Sequence, residues 1–333
     1  MSISIVVCTR NRPEKLRRCL HSLLRADLEG VLEIIVLDQS DQPLERRGFD
    51  EPNLDRLRYV WRKGRGLARA RNQALRMAQG HIICFTDDDC IVTPGWPRSL
   101  RQAFQSHPEV DGVFGRVLPY AGPSEDLEHH TFATPFGVIT YVTKPGPLFC
   151  GGLIDKTERA SYNRPIITIE HLGSGNNMAF RRAVFEQHGL FFEQLGAGRS
   201  LKSGEDTEFH YRLLCARCTL MYDPDVVLYH DNWLTPQQNG DLQDGYTSGM
   251  LATFVLFGLR GDQLARDYLR YRWGSVKQEI AVSTGAKSAR KPMSFYAARG
   301  MAFLKGIVGG IWLALVVRTP PHLATHPKSD GCP

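Results

Sequence analysis

The stretch Gly80-His81-Ile82-Ile83-Cys84-Phe85-Thr86-Asp87-Asp88-Asp89 constrains this chain more than any other. Its apolar run after a glycine is too short for a helix and suits a strand buried on both faces of a parallel sheet. Three consecutive carboxylates then close the strand. In open α/β sheets the carboxyl ends of the strands are where ligands bind, and adjacent carboxylates repel one another unless positive charge lies between them. A hard divalent cation, Mg2+ or Mn2+, supplies that charge and takes oxygen ligands from one or two carboxylates together with substrate phosphates. In isolation the same residues also read as a solvated acidic turn, so the flanking sequence has to decide.

Residues 2–8 read as a first strand. Thr9-Arg10-Asn11-Arg12-Pro13-Glu14 follows as a polar turn in which Thr9 or Asn11 is placed to cap a helix whose first turn holds Pro13 and Glu14. Leu16, Cys19, Leu20, Leu23 and Leu24 recur at helical spacing, and residues 32–37 form a second strand that delivers Asp38 at its carboxyl end. A short strand at Tyr59-Val60 precedes the basic segment Arg62-Lys63-Gly64-Arg65-Gly66 and a helix carrying Leu67, Ala70, Arg71, Asn72, Ala74, Leu75 and Ala78. This alternation calls for a parallel sheet. Taken singly, Asp38 reads as a turn cap and Arg65, Arg69 and Arg71 as a solvated helix face. Together, a basic helix and two acid-ended strands converging on one sheet edge offer phosphate oxygens a metal and guanidinium donors at once.

A helix around Phe104 and a strand at residues 113–117 come next. Residues 119–152, rich in Gly, Pro, His and aromatic side chains, read as a variable loop region, and the pair His129-His130 lacks a third spaced ligand. The second dense stretch is Leu172-Gly173-Ser174-Gly175-Asn176-Asn177-Met178-Ala179-Phe180-Arg181-Arg182, followed by Gly204-Glu205-Asp206. Glu205 and Asp206 open an amphipathic helix backed by Phe209, Leu213 and Arg212, where acids favour the helix dipole. A carboxylate fixed at a helix start beside a glycine-rich loop is equally suited to act as a general base. Residues 226–230 form a last strand with His230 at its end.

With 333 residues, 42% of them hydrophobic and 23% charged, the chain has room for one large core or two modest ones and is long enough to be an enzyme. The net charge of +6 is uneven, concentrated in residues 56–76 and the last third. That pattern suits a phosphate-rich substrate or an anionic membrane surface, and no nucleic-acid partner is expected. The 8 cysteines are scattered, and residues 2–7 read as a strand rather than as a basic, long-apolar leader, so a reducing cytoplasmic location is expected. Cys215 and Cys218 lack a second spaced pair and fall in a predicted helix, where packing is their expected role.

These motifs resemble family 2 glycosyltransferases of the GT-A fold, over roughly residues 3–235. Val6-Val7-Cys8-Thr9-Arg10-Asn11-Arg12-Pro13 is similar to the family's opening strand and turn, Ile35-Val36-Leu37-Asp38-Gln39-Ser40 to its second strand, and residues 66–72 to its basic helix. Phe85-Thr86-Asp87-Asp88-Asp89 resembles its DxD motif, Asn177-Met178-Ala179-Phe180-Arg181-Arg182 its acceptor-side loop, and Gly204-Glu205-Asp206 its (E/D)D motif. The resemblance implies an α/β fold of the GT-A (Rossmann-like) type over residues 1–235, a mostly parallel sheet flanked by helices, with a helical C-terminal extension over residues 236–333. It further implies inverting transfer of one sugar from a nucleotide diphosphate sugar to a glycan, lipid-linked or other hydroxyl acceptor, assisted by Mg2+ or Mn2+. Carried onto this sequence, Asp38 would meet the nucleotide base; Thr9, Arg10, Arg71, Asp87 and Asp88 would bind the donor. Asp89 and His230 would hold the metal, Asp206 would be the general base, and Asn177 and Glu205 would lie on the acceptor side.

There are departures from the family pattern. Phe192 stands where many relatives have Asp, and Leu269-Arg270-Tyr271-Arg272-Trp273 keeps only the final Arg-Trp of the processive synthases' QxxRW, which points to single-sugar transfer. Two rivals compete. A haloacid dehalogenase-type phosphohydrolase shares an apolar strand ending in Asp87-x-Asp89, but carries it on its first strand; a non-catalytic sugar-nucleotide or glycan-binding protein would have little need of both Asp89 and Asp206. The tail holds an apolar run at residues 250–257, a basic stretch at 287–299 and a second apolar run at 303–317. The last is about 15 residues, short of the ~20 needed for a span, so peripheral contact with the inner face of the cell membrane is expected, with a buried helical subdomain, a homodimer interface or a true span extended through flanking residues as the alternatives.

Overall fold

A computed structural model of the chain describes residues 1–45, 50–120, 131–132, 146–149, 152–153, 173–216, 218–284 and 293–317. The pair His129-His130 and most of residues 119–152 lie outside them, as does part of the basic stretch at 287–299. The chain begins β1 (Ile3–Thr9), α1 (Pro13–Leu24), β2 (Val31–Asp38), β3 (Leu57–Trp61), α2 (Leu67–Leu75), β4 (Ile82–Asp87), β5 (Cys90–Val92), α3 (Trp96–Ser106) and β6 (Gly112–Pro119). Short strands β7 (Thr131–Phe132), β8 (Gly146–Phe149) and β9 (Gly152–Leu153) precede β10 (Met178–Arg181), α4 (Arg182–His188), α5 (Glu205–Cys215), β11 (Leu220–His230) and β12 (Trp233–Leu234). Three helices finish the described chain: α6 (Pro236–Leu259), α7 (Gln263–Thr284) and α8 (Met293–Val316).

The main sheet has the order β3-β2-β1-β4-β10-β6-β11-β8-β9, with β5 paired to β11. Its first four strands are parallel, as the strand and helix alternation requires. The second half is mixed, because β10 enters antiparallel between β4 and β6. The sequence motif read as an acceptor-side loop is therefore largely a central strand: Met178, Ala179 and Phe180 are fully buried. Buried on both faces, such a strand shows no alternation, and nothing in its pattern separates it from an apolar loop.

Alternate side chains of the central strands feed two cores. Ile5, Val7, Ile82 and Cys84 meet α1 and α3 through Leu16, Leu20, Trp96 and Leu100. Val6, Ile83 and Phe85 face the other way, toward α2, α4 and α5 through Ala74, Phe185 and Phe209. The capping expected from Thr9 or Asn11 does not occur, since Arg12 is the N-cap of α1 and makes no side-chain cap bond. Thr9 bonds Asp88 instead, and Asn11, in a left-handed conformation with φ of 56°, exchanges hydrogen bonds with Asp41. Helix α5 ends at Cys215, so Cys218 lies beyond it; both cysteines pack against the second core.

The C-terminal helices continue that core. Tyr211 of α5 makes edge contacts with Phe254 and Phe257 of α6, with centroids 5.2 and 4.8 Å away, and Phe254 meets Tyr268 of α7 at 4.2 Å. Helix α8 lies along α6 because glycines let the backbones approach: a Cβ at Gly306 would sit 2.7 Å from Leu251 Cβ, and one at Gly310 2.7 Å from Ala252 O. Starting at Met293, α8 includes a 20-residue apolar window, Ala297–Val316, longer than the run read from sequence and long enough to cross a membrane by length and composition.

Beneath α5 the pair Glu208–Arg212 is buried, with side-chain exposures of 0% and 1%, and Arg212 Nη2 donates to Glu208 Oε2 at 2.8 Å. Arg212 also donates to the backbone oxygens of His188 and Leu190, tying α5 to the end of α4 and the residues just after it. Replacing one partner leaves the other charge uncompensated in the core. Glu208→Leu is therefore expected to lower stability by about 3–5 kcal/mol, read from urea denaturation; a loss below about 1 kcal/mol would show that the pair does not anchor α5.

Candidate active site

Parallel register aligns the carboxyl ends of three strands: Thr9 is opposite Asp38, and Cys8 opposite Asp87. The facing wall comes from the start of α2, the turn at residues 173–176, the start of α5, and α6. Between them lies a cleft of about 970 Å³ lined by Thr9, Arg10, Asp87, Asp88, Asp89, Gly175, Asp206, His230 and Tyr246, among others. Arg71 and Glu205 border it as well. Of the expected site residues, only Asp38 and Asn177 stand apart from this cleft, as described below.

The acid triplet is stabilised residue by residue. Asp87, the last residue of β4, accepts from Arg71 Nη2 at 3.3 Å. Burial raises its pKa, and the Arg71 charge opposes the rise. Asp88 accepts from Thr9 Oγ1 at 2.7 Å and Arg12 Nη1 at 3.1 Å. Burial and then the neighbouring Asp89 charge push it up to about 6 against the pull of Arg12. Asp89 meets His230 Nε2 at 3.2 Å, Arg12 Nη1 at 3.0 Å and Lys15 Nζ at 3.5 Å. Burial would raise Asp89, yet the His230 hydrogen bond and the charges of His230, Arg12 and Lys15 outweigh it and hold this carboxylate well below the usual range.

Across the cleft, Arg71 is itself buried and bridges Asp87 to Glu205 Oε1 at 3.2 Å while donating to Gly175 O at 3.0 Å. Its guanidinium lies 5.8 and 5.6 Å from the Phe85 and Phe191 ring centroids, which close the floor. Glu205 is buried, and burial followed by the Asp206 charge pushes it up to about 7 despite Arg71. Asp206 is only half-buried. Its Oδ1 accepts from the Thr207 backbone at 2.7 Å, and its Oδ2 fills the space beside Gly175, 2.6 Å from where a Cβ would stand.

Two expected site residues are placed differently. Asn177 is fully buried and spends its amide on the scaffold: Trp96 Nε1 donates to its Oδ1 at 2.9 Å, and its Nδ2 donates to Arg116 O and Val226 O, each at 2.9 Å. Asn176, one residue earlier, lines the cleft. Asp38 is buried at the end of β2, accepting from the Ser40 backbone at 2.7 Å and from Tyr59 Oη; it borders a smaller adjoining hollow with Asn11 and Pro13, while Gln39 reaches the main cleft. Sequence reasoning missed Arg12 and Lys15, which neutralise the acids, and the wall from α6 to α8, where Gln238, Tyr246, Arg272 and Arg299 line the cleft. For the first two, a Pro-Glu helix start drew attention to capping; for the wall, no local pattern tells a polar residue facing a cleft from one facing solvent.

Residues 4–189, more than half of the chain, match Glycosyl transferase family 2. The chain belongs to this family. It is 26% identical over 122 residues to the glucosyl-dolichyl phosphate glucuronosyltransferase of Haloferax volcanii, a match that spans 36% of this chain and 39% of that protein. Its fold is similar to that of Staphylococcus aureus TarS residues 1–349, with a TM-score of 0.56 and 16% identity over 92% of this chain and 81% of that one. A mannosyltransferase from Pyrobaculum calidifontis, PcManGT, in complex with GDP-Man and Mn2+ aligns with a TM-score of 0.53 and 16% identity, covering 94% and 87% of the two chains. This glycosyltransferase thus has the expected GT-A fold, and the phosphohydrolase reading is not favoured.

Two measurements follow from this geometry. Glu205 ordinarily titrates near 4.5 and here near 7, so between those values the folded state holds a proton that the unfolded state has lost, and stability falls as pH rises through that window. Glu205→Gln is expected to remove this contribution; melting curves from pH 4.5 to 7 should show a shallower decline than in the parent, and identical slopes would refute it. Asn177→Leu strands three buried scaffold partners at about 1–3 kcal/mol each. A large loss of stability in urea is expected, whereas a stable variant with altered acceptor preference would return Asn177 to the site.

Proposed function

We propose that this glycosyltransferase moves a single sugar, with inversion, from a nucleotide diphosphate sugar to a hydroxyl of a glycan, lipid-linked or other acceptor. One observation carries the reading: the half-buried Asp206 stands at the start of α5 in the same cleft as the acid triplet and His230, across from them. A hydroxyl is a poor nucleophile at neutral pH. Asp206, held by the Thr207 backbone at Oδ1 and by crowding against Gly175, is the group that takes its proton as it attacks the anomeric carbon. Base and departing diphosphate then lie on opposite sides of that carbon, which gives inversion.

The donor set suits Mg2+ or Mn2+. Asp89 and His230 offer an oxygen and a nitrogen 3.2 Å apart, at a place where Arg12 and Lys15 already gather to balance excess negative charge. The Cys90 sulfur is within 4.8 Å of both, but Cys90 is a wholly buried member of the α1–α3 core whose thiol is pushed well up by burial, and hard cations favour oxygen. When bound, the metal offsets charge growing on the leaving diphosphate. Thr9 fixes the rotamer of Asp88, Arg71 fixes Asp87, and Arg10 and Gln39 border the donor side. Arg71 supports the donor side through Asp87, to which its Nη2 donates, and holds the opposite wall through Glu205 and Gly175.

A cytoplasmic enzyme in peripheral contact with the inner face of the membrane fits the apolar α8 and the basic charge before it. The relative from Haloferax volcanii is a glucosyl-dolichyl phosphate glucuronosyltransferase, in keeping with a lipid-linked acceptor here.

Asp206→Asn keeps the shape and an oxygen for the Thr207 backbone N–H, so donor binding should persist while transfer falls at least about 10²-fold. Near-normal transfer on a competent acceptor would remove Asp206 from the base role. Asp89→Ala should abolish the thermal stabilisation that a nucleoside diphosphate gives in the presence of Mn2+. Retained Mn2+-dependent stabilisation would exclude Asp89 as a ligand.

A further inference from the structure

The outer side of α8 is the most apolar exposed surface among the described residues. Met301, Leu304, Val308, Ile311, Trp312 and Leu315 are all exposed, Leu315 to 81%. At 100° per residue they fall within an arc of about 100°, a continuous stripe along the helix. The opposite side, with Ala302, Gly306, Gly310 and Leu313, is buried against α6 and its surroundings. On α7, Trp273 is half exposed and meets Phe303 of α8 at 5.6 Å, extending the stripe sideways.

Charge identifies what covers this face. Met293–Val316 contains no acidic residue, Lys305 lies exposed at the edge of the stripe, and Lys287, Arg290 and Lys291 come just before the helix. A second copy placed on the same face would set Lys305, near the middle of α8, close to its own counterpart, whereas anionic headgroups would neutralise it. Tryptophans at the border of an apolar stripe suit the level of lipid headgroups. A span is opposed by packing: α8 is bound along α6, whose first half carries Gln238, Asp241 and Asp244, and carrying α8 across a bilayer would draw those polar groups into hydrocarbon.

We propose that the outward face of α8, with Trp273 beside it, lies in the interface of an anionic lipid membrane. This deepens the peripheral contact proposed above by naming the face that makes it and the charge of the lipid it meets. The inward side of the same helix borders the cleft: Arg299, about half a turn around α8 from the stripe, lines it with its Nε 3.7 Å from Asp244 of α6, and Arg272 of α7 lines it as well, so the apolar face and the cleft lie on opposite sides of one helix.

The test uses the full chain and vesicles of phosphatidylglycerol and phosphatidylcholine, with no sugar donor, so its outcome is independent of whether transfer occurs. Co-sedimentation is expected on the mixed vesicles. It should weaken on vesicles of phosphatidylcholine alone, and also in roughly 0.5 M salt, which screens the pairing of exposed charges. Brominated lipid should quench Trp312 and Trp273 and spare the buried Trp96, read in variants that retain one tryptophan each. Val308→Asp combined with Leu315→Asp changes only exposed positions, and with melting temperature unchanged it should weaken vesicle binding at least tenfold; Lys305→Glu should weaken it less and reduce the salt effect. Absence of sedimentation, sedimentation untouched by the double variant, quenching of Trp96 alone, or a dimer in light scattering that the double variant splits would each overturn the proposal.

Discussion

Placing three carboxylates in succession at the end of a buried strand creates a repulsion that the surrounding fold has to offset. The structure divides the problem by direction. Asp87 faces the buried Arg71, Asp88 turns to Thr9 and Arg12, and Asp89 points to His230 and Lys15 as well as Arg12. These partners come from different elements, so the ends of β1, β4 and β11, the start of α1 and the middle of α2 must meet at one place for the acids to be tolerated. The same meeting makes the cleft. Nearby charges act strongly in such a low-dielectric setting, and the two faces of the effect are visible in neighbours: burial prevails at Asp88, while at Asp89 burial is outweighed by the His230 hydrogen bond and three positive charges together.

Arg71 connects this arrangement to the opposite wall. By bridging Asp87 and Glu205 it ties the end of β4 to the start of α5 and thereby fixes where Asp206 stands. Close backbone approach completes the support. Gly175 leaves room only for the Asp206 carboxylate, and Gly196, with φ of 96°, leaves room for Glu205, whose Oε2 lies 2.8 Å from the position a Cβ would take. The general base proposed for this enzyme is therefore held by electrostatics from one side and by the absence of side chains on the other.

The C-terminal helices belong to the same construction. Phe254, Phe257 and Tyr268 share the core that supports α2 and α5, and burying an aromatic side chain of this kind contributes about 1.5–3 kcal/mol. Residues past 235 thus help to hold the catalytic framework and supply part of the cleft wall. The outer face of α8, by contrast, is left apolar and exposed, so one helix packs against the fold on its inner side and presents an apolar stripe on the other.

Much of this was legible in the sequence because its signals are local. The apolar run into Asp87-Asp88-Asp89, the helical spacing from Leu16 to Leu24 and the glycine before Glu205-Asp206 each fix an element and its chemical end within a few residues, and the order of those ends pointed to the family and the fold. What the chain alone left undecided depends on contacts far apart in sequence. That Met178–Arg181 is a central strand, that Asn177 serves Trp96, Arg116 and Val226 rather than an acceptor, that Asp38 is occupied by Ser40 and Tyr59, and that Arg12 and Lys15 balance the acids are all consequences of which groups lie within hydrogen-bonding distance. Residue type and spacing set what a side chain can do; only the tertiary structure, by bringing in distant partners and removing water, decided which of those things each one does.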